Sequence, residues 1–298
     1  MSAERGLGFA RSWRRLPPGA RVAAGVIALF VLGAVFAPWL TRYRPWEQLG
    51  IVTLQSLPPS WAHPFGTDRY SRDVLTRILY GARVSLAIAT LAVFVSSTVG
   101  TLYGAVAGYA GGAVDAVMMR IIDAFLSIPR VLLLIAVLAL WSPLPLAALV
   151  LLIGLTGWFD VARLVRGQAM ALRQREFVVA ARSLGARPAA IVWRHIIPNV
   201  LSPVVVAGAL AVGNVIILEA GLSFLGIGVH EPIASWGTMF QDAAEQFVST
   251  WWAVIFPGVA IVATVLAFNT LGDALRDVLD PRQLPGRPAL DPQERAHG

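Results

Sequence analysis

The sequence predicts an all-α integral membrane protein with six transmembrane helices, and three observations carry that prediction. Hydrophobic residues make up 57% of the 298 positions and charged residues only 14%, where soluble domains carry roughly 25% charged residues. The apolar residues gather into runs at 22–40, 84–107, 124–141, 146–164, 199–219 and 251–271, each near the roughly 20 residues that cross a hydrocarbon core. All 24 basic residues are Arg, and they are spread unevenly between the runs. With the N-terminus inside, 18 fall on cytoplasmic segments and 6 outside, all of these in 41–83. That bias orients the chain with both termini cytoplasmic.

Composition also excludes whole classes of chemistry. There is no Cys, so disulfides and thiolate metal sites are ruled out, and the four His lack metal-ligand spacing. A chain without Lys cannot hold a Walker-type phosphate loop, so it hydrolyses no ATP by that route. The net charge of +7 in so apolar a chain orients membrane segments rather than binding nucleic acid.

In chain order, residues 1–21 form a cytoplasmic tail bearing Arg5, Arg11, Arg14, Arg15 and Arg21, ahead of a first span over 22–40. That span is too long for a signal-peptide core and ends at Pro38-Trp39 rather than at a small-residue cleavage site. An external segment over 41–83 follows. Within it, Val74, Leu75, Ile78 and Leu79 recur at helical spacing and predict an amphipathic helix along the bilayer surface. Residues 84–271 hold the other five spans. The third is interrupted by Pro129 and Arg130, and Asp115, Arg120 and Asp123 before it read as a solvated inner helix. A cytoplasmic tail over 272–298 ends the chain.

The chain is organised around the basic island Arg173-Gln-Arg-Glu176-Phe-Val-Val179-Ala180-Ala181-Arg182-Ser-Leu-Gly185-Ala-Arg-Pro188-Ala-Ala-Ile-Val-Trp-Arg194-His195-Ile-Ile-Pro198-Asn199. Good helix formers run up to Gly185, which sits as a C′ glycine, and Pro188 sits as a first-turn proline. The pattern predicts two short helices, the second ending at His195, folded as a cytoplasmic knob within a loop over 165–198.

Acidic residues in or beside the runs are Asp123, Asp160 and Glu219, with no catalytic spacing. A carboxylate at the depth of Glu219 is a functional candidate. With the glycines Gly221, Gly226 and Gly228 it makes a candidate gate or outer bend.

At the island the sequence resembles the inner-membrane permease subunits of binding-protein-dependent ABC importers, and more closely the C-type permease of their dipeptide/oligopeptide branch. That family's loop reads Glu-Ala-Ala-x-x-x-Gly. Here it stands as Val179-Ala180-Ala181-Arg182-Ser-Leu-Gly185, with Val179 in place of the motif Glu and Glu176 one turn earlier. His63-Pro-Phe-Gly66-Thr-Asp68-Arg-Tyr-Ser-Arg72-Asp73, Tyr80-Gly81-Ala-Arg83-Val-Ser85, Gly108-Tyr-Ala-Gly-Gly112 and Ala162-Arg163-Leu-Val-Arg166 are similar to the same branch. So are Leu218-Glu219-Ala-Gly-Leu-Ser-Phe-Leu-Gly226, Ser235-Trp236-Gly237 and Phe268-Asn269-Thr-Leu-Gly272-Asp273-Ala-Leu-Arg276-Asp277-Val-Leu-Asp280-Pro281-Arg282.

The resemblance implies a type I ABC importer permease fold and a chain that is not itself an enzyme. It implies partners: a second homologous permease, two ABC ATPase subunits that hold the ATP and Mg, an external solute-binding protein and the lipid bilayer. No cofactor is expected on this chain. The location is the inner membrane of a bacterial or archaeal cell. Glu176, Ala180, Ala181, Arg182, Gly185, Arg194, His195 and Pro198 become the ATPase-coupling loop. Di- or oligopeptides are the expected cargo, with nickel chelates and oligosaccharides as alternatives within the branch and a stand-alone ion-coupled transporter as the alternative outside it. Trp46, Trp61 and Trp236, on the only sizeable outer segments, are candidate contacts for the binding protein.

Overall fold

A computed structural model describes residues 17–141, 143–244 and 248–279. Ten helices appear among them: α1 Pro18–Leu40, α2 Val74–Ala110, α3 Gly112–Leu126, α4 Arg130–Trp141, α5 Leu146–Leu155, α6 Phe159–Arg173, α7 Glu176–Ser183, α8 Pro188–Phe224, α9 Trp236–Ala244 and α10 Trp251–Leu279. Helices α1, α2, α8 and α10 are each long and apolar enough to span a bilayer, and the count reaches 6 if α3+α4 and α5+α6 are each one bent span.

Those two spans are broken because the sequence removes rungs there. Ser127-Ile-Pro129 separates α3 from α4 with a bend of 68°, since Pro129 lacks an N–H and disfavours helical backbone at Ile128. Thr156-Gly-Trp158 separates α5 from α6 with a bend of 43°. There the Thr156 hydroxyl donates back to the Leu152 carbonyl at 2.8 Å, a bond that competes with the helix ladder.

Helix α2 runs through the middle of the molecule and packs on α6, α8, α5 and α1. Its seam with α6 is a stripe of glycines four residues apart. A Cβ on Gly100 would lie 2.7 Å from the Val161 Cβ, one on Gly104 2.9 Å from the Val165 Cβ, and one on Gly108 2.7 Å from the Ala169 Cβ. Lipid tails are as apolar as Leu, so close backbone approach across small residues is what holds membrane helices together. Where the seam ends, Asp115 of α3 accepts two bonds from Arg166 of α6, at 2.5 and 2.6 Å. The core beside it is built from Leu86, Ile88, Ala92, Leu134, Leu138, Leu149, Ile153, Val212 and Ile216.

Several expectations need correction. The amphipathic segment within 41–83 is no separate surface helix. Val74–Ala110 is one helix of 37 residues, because Val74 and Ile78 face the core and Arg77 is buried among carboxylates. Of the three charged residues of α3 read as solvated, Asp115 is buried on Arg166, whereas Arg120 and Asp123 are exposed. The loop placed at 165–198 is itself largely helical: α6 runs on to Arg173 and α8 begins at Pro188. Gly272–Leu279, assigned to the tail, continue α10. Asp280, Pro281 and Arg282, the rest of that tail and nearly all of the tail at 1–21 lie outside the described residues.

Of the six Arg residues in 41–83, the exception to the inside bias, Arg72, Arg77 and Arg83 are bound into the fold. Pro38 in α1 leaves the Ala34 carbonyl without its helical donor, and Arg83 fills the gap from Nε at 3.0 Å and Nη2 at 2.7 Å. Arg72 reaches Asp68, Glu231 and Asp242, each at 2.6 Å, and Arg77 reaches Asp68 and Asp242 at 2.7 Å. Burial works against the Arg72 charge, but the surrounding carboxylates win and raise its pKa above the ordinary guanidinium value. Arg72 and Arg77 thereby tie the 41–73 loop to Glu231 and to Asp242 of α9, and Arg83 ties α2 to α1.

Candidate coupling loop and outer carboxylate

The residues of the candidate coupling loop gather where α6 ends and α8 begins. Helix α7 begins at Glu176, where the first-turn carboxylate complements the helix dipole. It ends in a Schellman turn, with the Ala186 N–H donating to the Ala181 carbonyl at 3.1 Å and the Gly185 N–H to Arg182 at 3.0 Å. Gly185 has φ +78°, as the C′ residue of such a turn requires, and nothing lies within 4 Å of where its Cβ would be. Glycine is needed there for conformation and not for space.

Helix α7 is held by one side. Val178 is fully buried against the cluster of Ile191, Val192 and Ile196 at the base of α8. Its other face is open: Glu176, Ala180 and Arg182 are exposed, as are the apolar Phe177 and Val179. Leu184 (88% exposed) and Trp193 (61%) extend that apolar surface. Arg182 also reaches back over the Tyr109 ring at the end of α2, 5.6 Å from its centroid.

The second helix of the predicted pair is not a short one. Pro188 opens it, but it runs on through a single π-turn at Val192–Ile196 into the whole of α8, a helix of 37 residues. Arg194 and His195 sit on this wide turn and Pro198 just after it. Pro198 lacks an N–H and so interrupts the ladder at the Arg194 carbonyl, and beside it the Asn199 side chain donates to the His195 carbonyl at 2.7 Å. The second helix of the knob and the fifth span are therefore one continuous helix, with α7 packed on its base.

At the other end of α8 stands the second candidate group. Glu219 is fully buried and accepts hydroxyl bonds from Ser85 of α2 (3.0 Å), Ser223 of α8 (2.7 Å) and Ser235 beside α9 (2.9 Å). Gly81 and Gly237 let the elements close around it, a Cβ on Gly237 lying 2.7 Å from the Ala220 Cα. Helix α8 also ends in a Schellman turn. Gly226 (φ +76°) is its C′ residue, and Ile227 donates to Leu222 at 3.1 Å. Gly228 folds back on Ser223, at 2.6 Å from its nitrogen for an added Cβ, whereas Gly221 touches nothing within 4 Å and stands apart. Three of the four residues are thus brought together, as a packed junction of α2, α8 and α9. Trp236 belongs to that junction too. Its indole is fully buried and donates to the Ile78 carbonyl at 3.1 Å, which removes it from the outer docking surface, while Trp46 and Trp61 are exposed.

Known proteins account for this arrangement. The family model described as binding-protein-dependent transport system inner membrane component matches residues 100–284. The chain belongs to that family. Its fold is that of a type I permease, a multi-pass inner-membrane transport component. The chain is 40% identical over 275 residues, covering 91% of it and 85% of the relative, to the dipeptide transport system permease protein DppC of Bacillus subtilis. It is 38% identical to the oligopeptide transport system permease protein OppC of the same organism, with 88% and 85% covered. The probable D,D-dipeptide transport system permease protein DdpC of Escherichia coli is 38% identical, with 87% and 86% covered.

The α2–α6 glycine stripe was not singled out in the sequence reading. Its signal was present as Gly100, Gly104 and Gly108, small residues at four-residue spacing inside an apolar run.

Proposed function

We propose that this chain is the permease subunit of an ATP-driven importer that carries di- or oligopeptides inward by alternating access. A second, homologous permease and two ATPase subunits, which bind the ATP and Mg, complete the complex. An external binding protein delivers the cargo to the outer face, where Trp46 and Trp61 are available contacts. The peptide cargo rests on the relatives named above, which favour it over nickel chelates and oligosaccharides. Membership of a binding-protein-dependent family argues against a stand-alone ion-coupled transporter.

One observation carries the coupling mechanism: α7 presents an open face of Glu176, Phe177, Val179 and Leu184 while its buried side is fixed to the base of α8. A partner gripping that face moves α8 with it, because Val178, Ile191 and Ile196 are fully buried in one cluster and close-packed interiors transmit displacement. At the far end the same helix carries Glu219 and its three serines, so inner docking is transmitted to the outer junction.

Purification with the neighbouring transport proteins tests this. A stable complex with ATPase subunits, hydrolysing ATP faster when loaded binding protein is added, is the expected outcome. Peptide uptake by this chain alone in vesicles refutes it. Orientation is tested by accessibility of cysteines placed at Gln55, Ala180, Phe240 and Leu290, which should read outside, inside, outside and inside.

A further inference from the structure

Where the two bent spans break, they enclose a cavity that neither joint above uses. It measures about 350 Å³ and is walled by α2, α5, α6 and α8 together with Arg130 at the start of α4. Most of the lining is apolar, from residues such as Ala92, Val161 and Leu210, but four polar side chains stand in it: Ser96, Arg130, Asp160 and Asn214. A cation and an anion on one cavity wall within the spans are costly, and such groups mark substrate paths.

The geometry separates what these charges do for the fold from what they leave free. Arg130 caps the broken end of α5. Its Nη2 donates to the Ile153 carbonyl at 2.7 Å and its Nε to the Thr156 hydroxyl at 3.3 Å. Gly157 makes room for it, since a Cβ there would lie 2.8 Å from Nη2. A guanidinium has five N–H groups, and the Nη1 pair has no hydrogen-bond acceptor among the described residues. Asp160 is exposed and accepts no hydrogen bond from the described residues. It lies in the first turn of α6, and its charge acts on the Arg130 guanidinium. Arg130 likewise opens α4, where the dipole favours an anion beside it. Broken helices with charged ends near mid-span are a geometry suited to holding charged solutes.

We propose that this cavity is a way-station for zwitterionic peptide, with Asp160 receiving the terminal ammonium and Arg130 Nη1 the terminal carboxylate. The proposal rests on the peptide-import reading above and adds the residues of the path. Ser96 and Asn214 supply hydroxyl and amide groups for the peptide unit between the termini. The volume is at the small end of the roughly 300–1,000 Å³ typical of ligand sites, which suits a dipeptide or one end of a longer chain. Neither charge is needed to pair with the other once the solute supplies both partners, so the site binds and releases without leaving a charge stranded.

The test uses the full complex in proteoliposomes, with binding protein outside and dialanine as the probe. Asp160→Asn, at a position without hydrogen bonds of its own, should lower the maximal uptake rate about tenfold, the loss expected for one charge-assisted contact. ATP hydrolysis stimulated by loaded binding protein should stay at the parental level, so that more ATP is consumed per peptide. The binding protein's own affinity for dialanine should not change, and Asp160→Glu should recover most of the rate. Parental uptake in Asp160→Asn overturns the assignment. So does an equal fall in uptake and hydrolysis, or loss of the second permease on purification, which would make Asp160 an intersubunit ion-pair partner. If the parental complex imports no dialanine while retaining coupled ATP hydrolysis, the peptide reading itself fails, and this site with it.

Discussion

Replacing Gly185 by Val isolates conformation from packing, because the site has room for any side chain and only the backbone objects. Gly185 sits at φ +78° with open space around it. A residue with a Cβ costs roughly 1–2 kcal/mol in the left-handed region, and β-branching makes Val among the worst choices. The two Schellman bonds, from Ala186 to Ala181 and from Gly185 to Arg182, then compete with that strain. The last turn of α7 should unwind, turning Leu184 and the face bearing Val179 and Arg182. The spans should be untouched, since Val178 alone of α7 is buried and it lies two turns away. Membrane insertion and co-purification of the second permease should therefore remain at parental level. Stimulated ATP hydrolysis and uptake by the reconstituted complex should fall together, by about tenfold or more for roughly 1.4 kcal/mol or more of lost docking. Gly185→Asn, which tolerates the left-handed conformation, should retain most activity. Parental activity in Gly185→Val, or equal damage from Val and Asn, would refute the reasoning.

Three further outcomes follow from the packing. Gly104→Leu should drive α2 from α6, costing about 1–3 kcal/mol or more for an overpacked seam, read as reduced membrane abundance and a lower unfolding midpoint in detergent. Glu219→Ala should leave the Ser85, Ser223 and Ser235 hydroxyls without their acceptor. At about 1–3 kcal/mol per unsatisfied buried group, that should lower thermal stability more than Glu219→Gln does, by the same detergent melt. Arg72→Ala should strand Asp68 and Asp242 in a buried setting at a cost of about 3–5 kcal/mol. Limited proteolysis of the 41–73 loop from outside should then cut far faster than in the parent, and no change in cleavage would mean the ion network is ornamental.

Membrane character, the helical class and the helix that Gly185 ends could be read from residues alone, because they depend on local quantities. Run length against bilayer thickness, and the order of helix formers, Gly185 and Pro188, need no knowledge of what packs where. The left-handed Gly185 followed from the chain's own punctuation for the same reason. Tertiary structure decided the rest. Val74 to Arg83 has the periodicity of a surface helix, and only the burial of Arg77 between Asp68 and an Asp242 that lies 165 residues away makes it the end of a span. Glu219 has three hydroxyl donors from α2, α8 and the start of α9, so its burial is a property of three elements meeting. Trp236 looks like an interface anchor until Ile78 is found beneath its indole. Arg130 and Asp160 interrupt apolar runs visibly enough, yet that they share a cavity depends on where two helices bend. Local sequence sets which helices form and where they break. Pairing between distant charges is a sum over contacts, and it exists only once α2, α6 and α8 are packed.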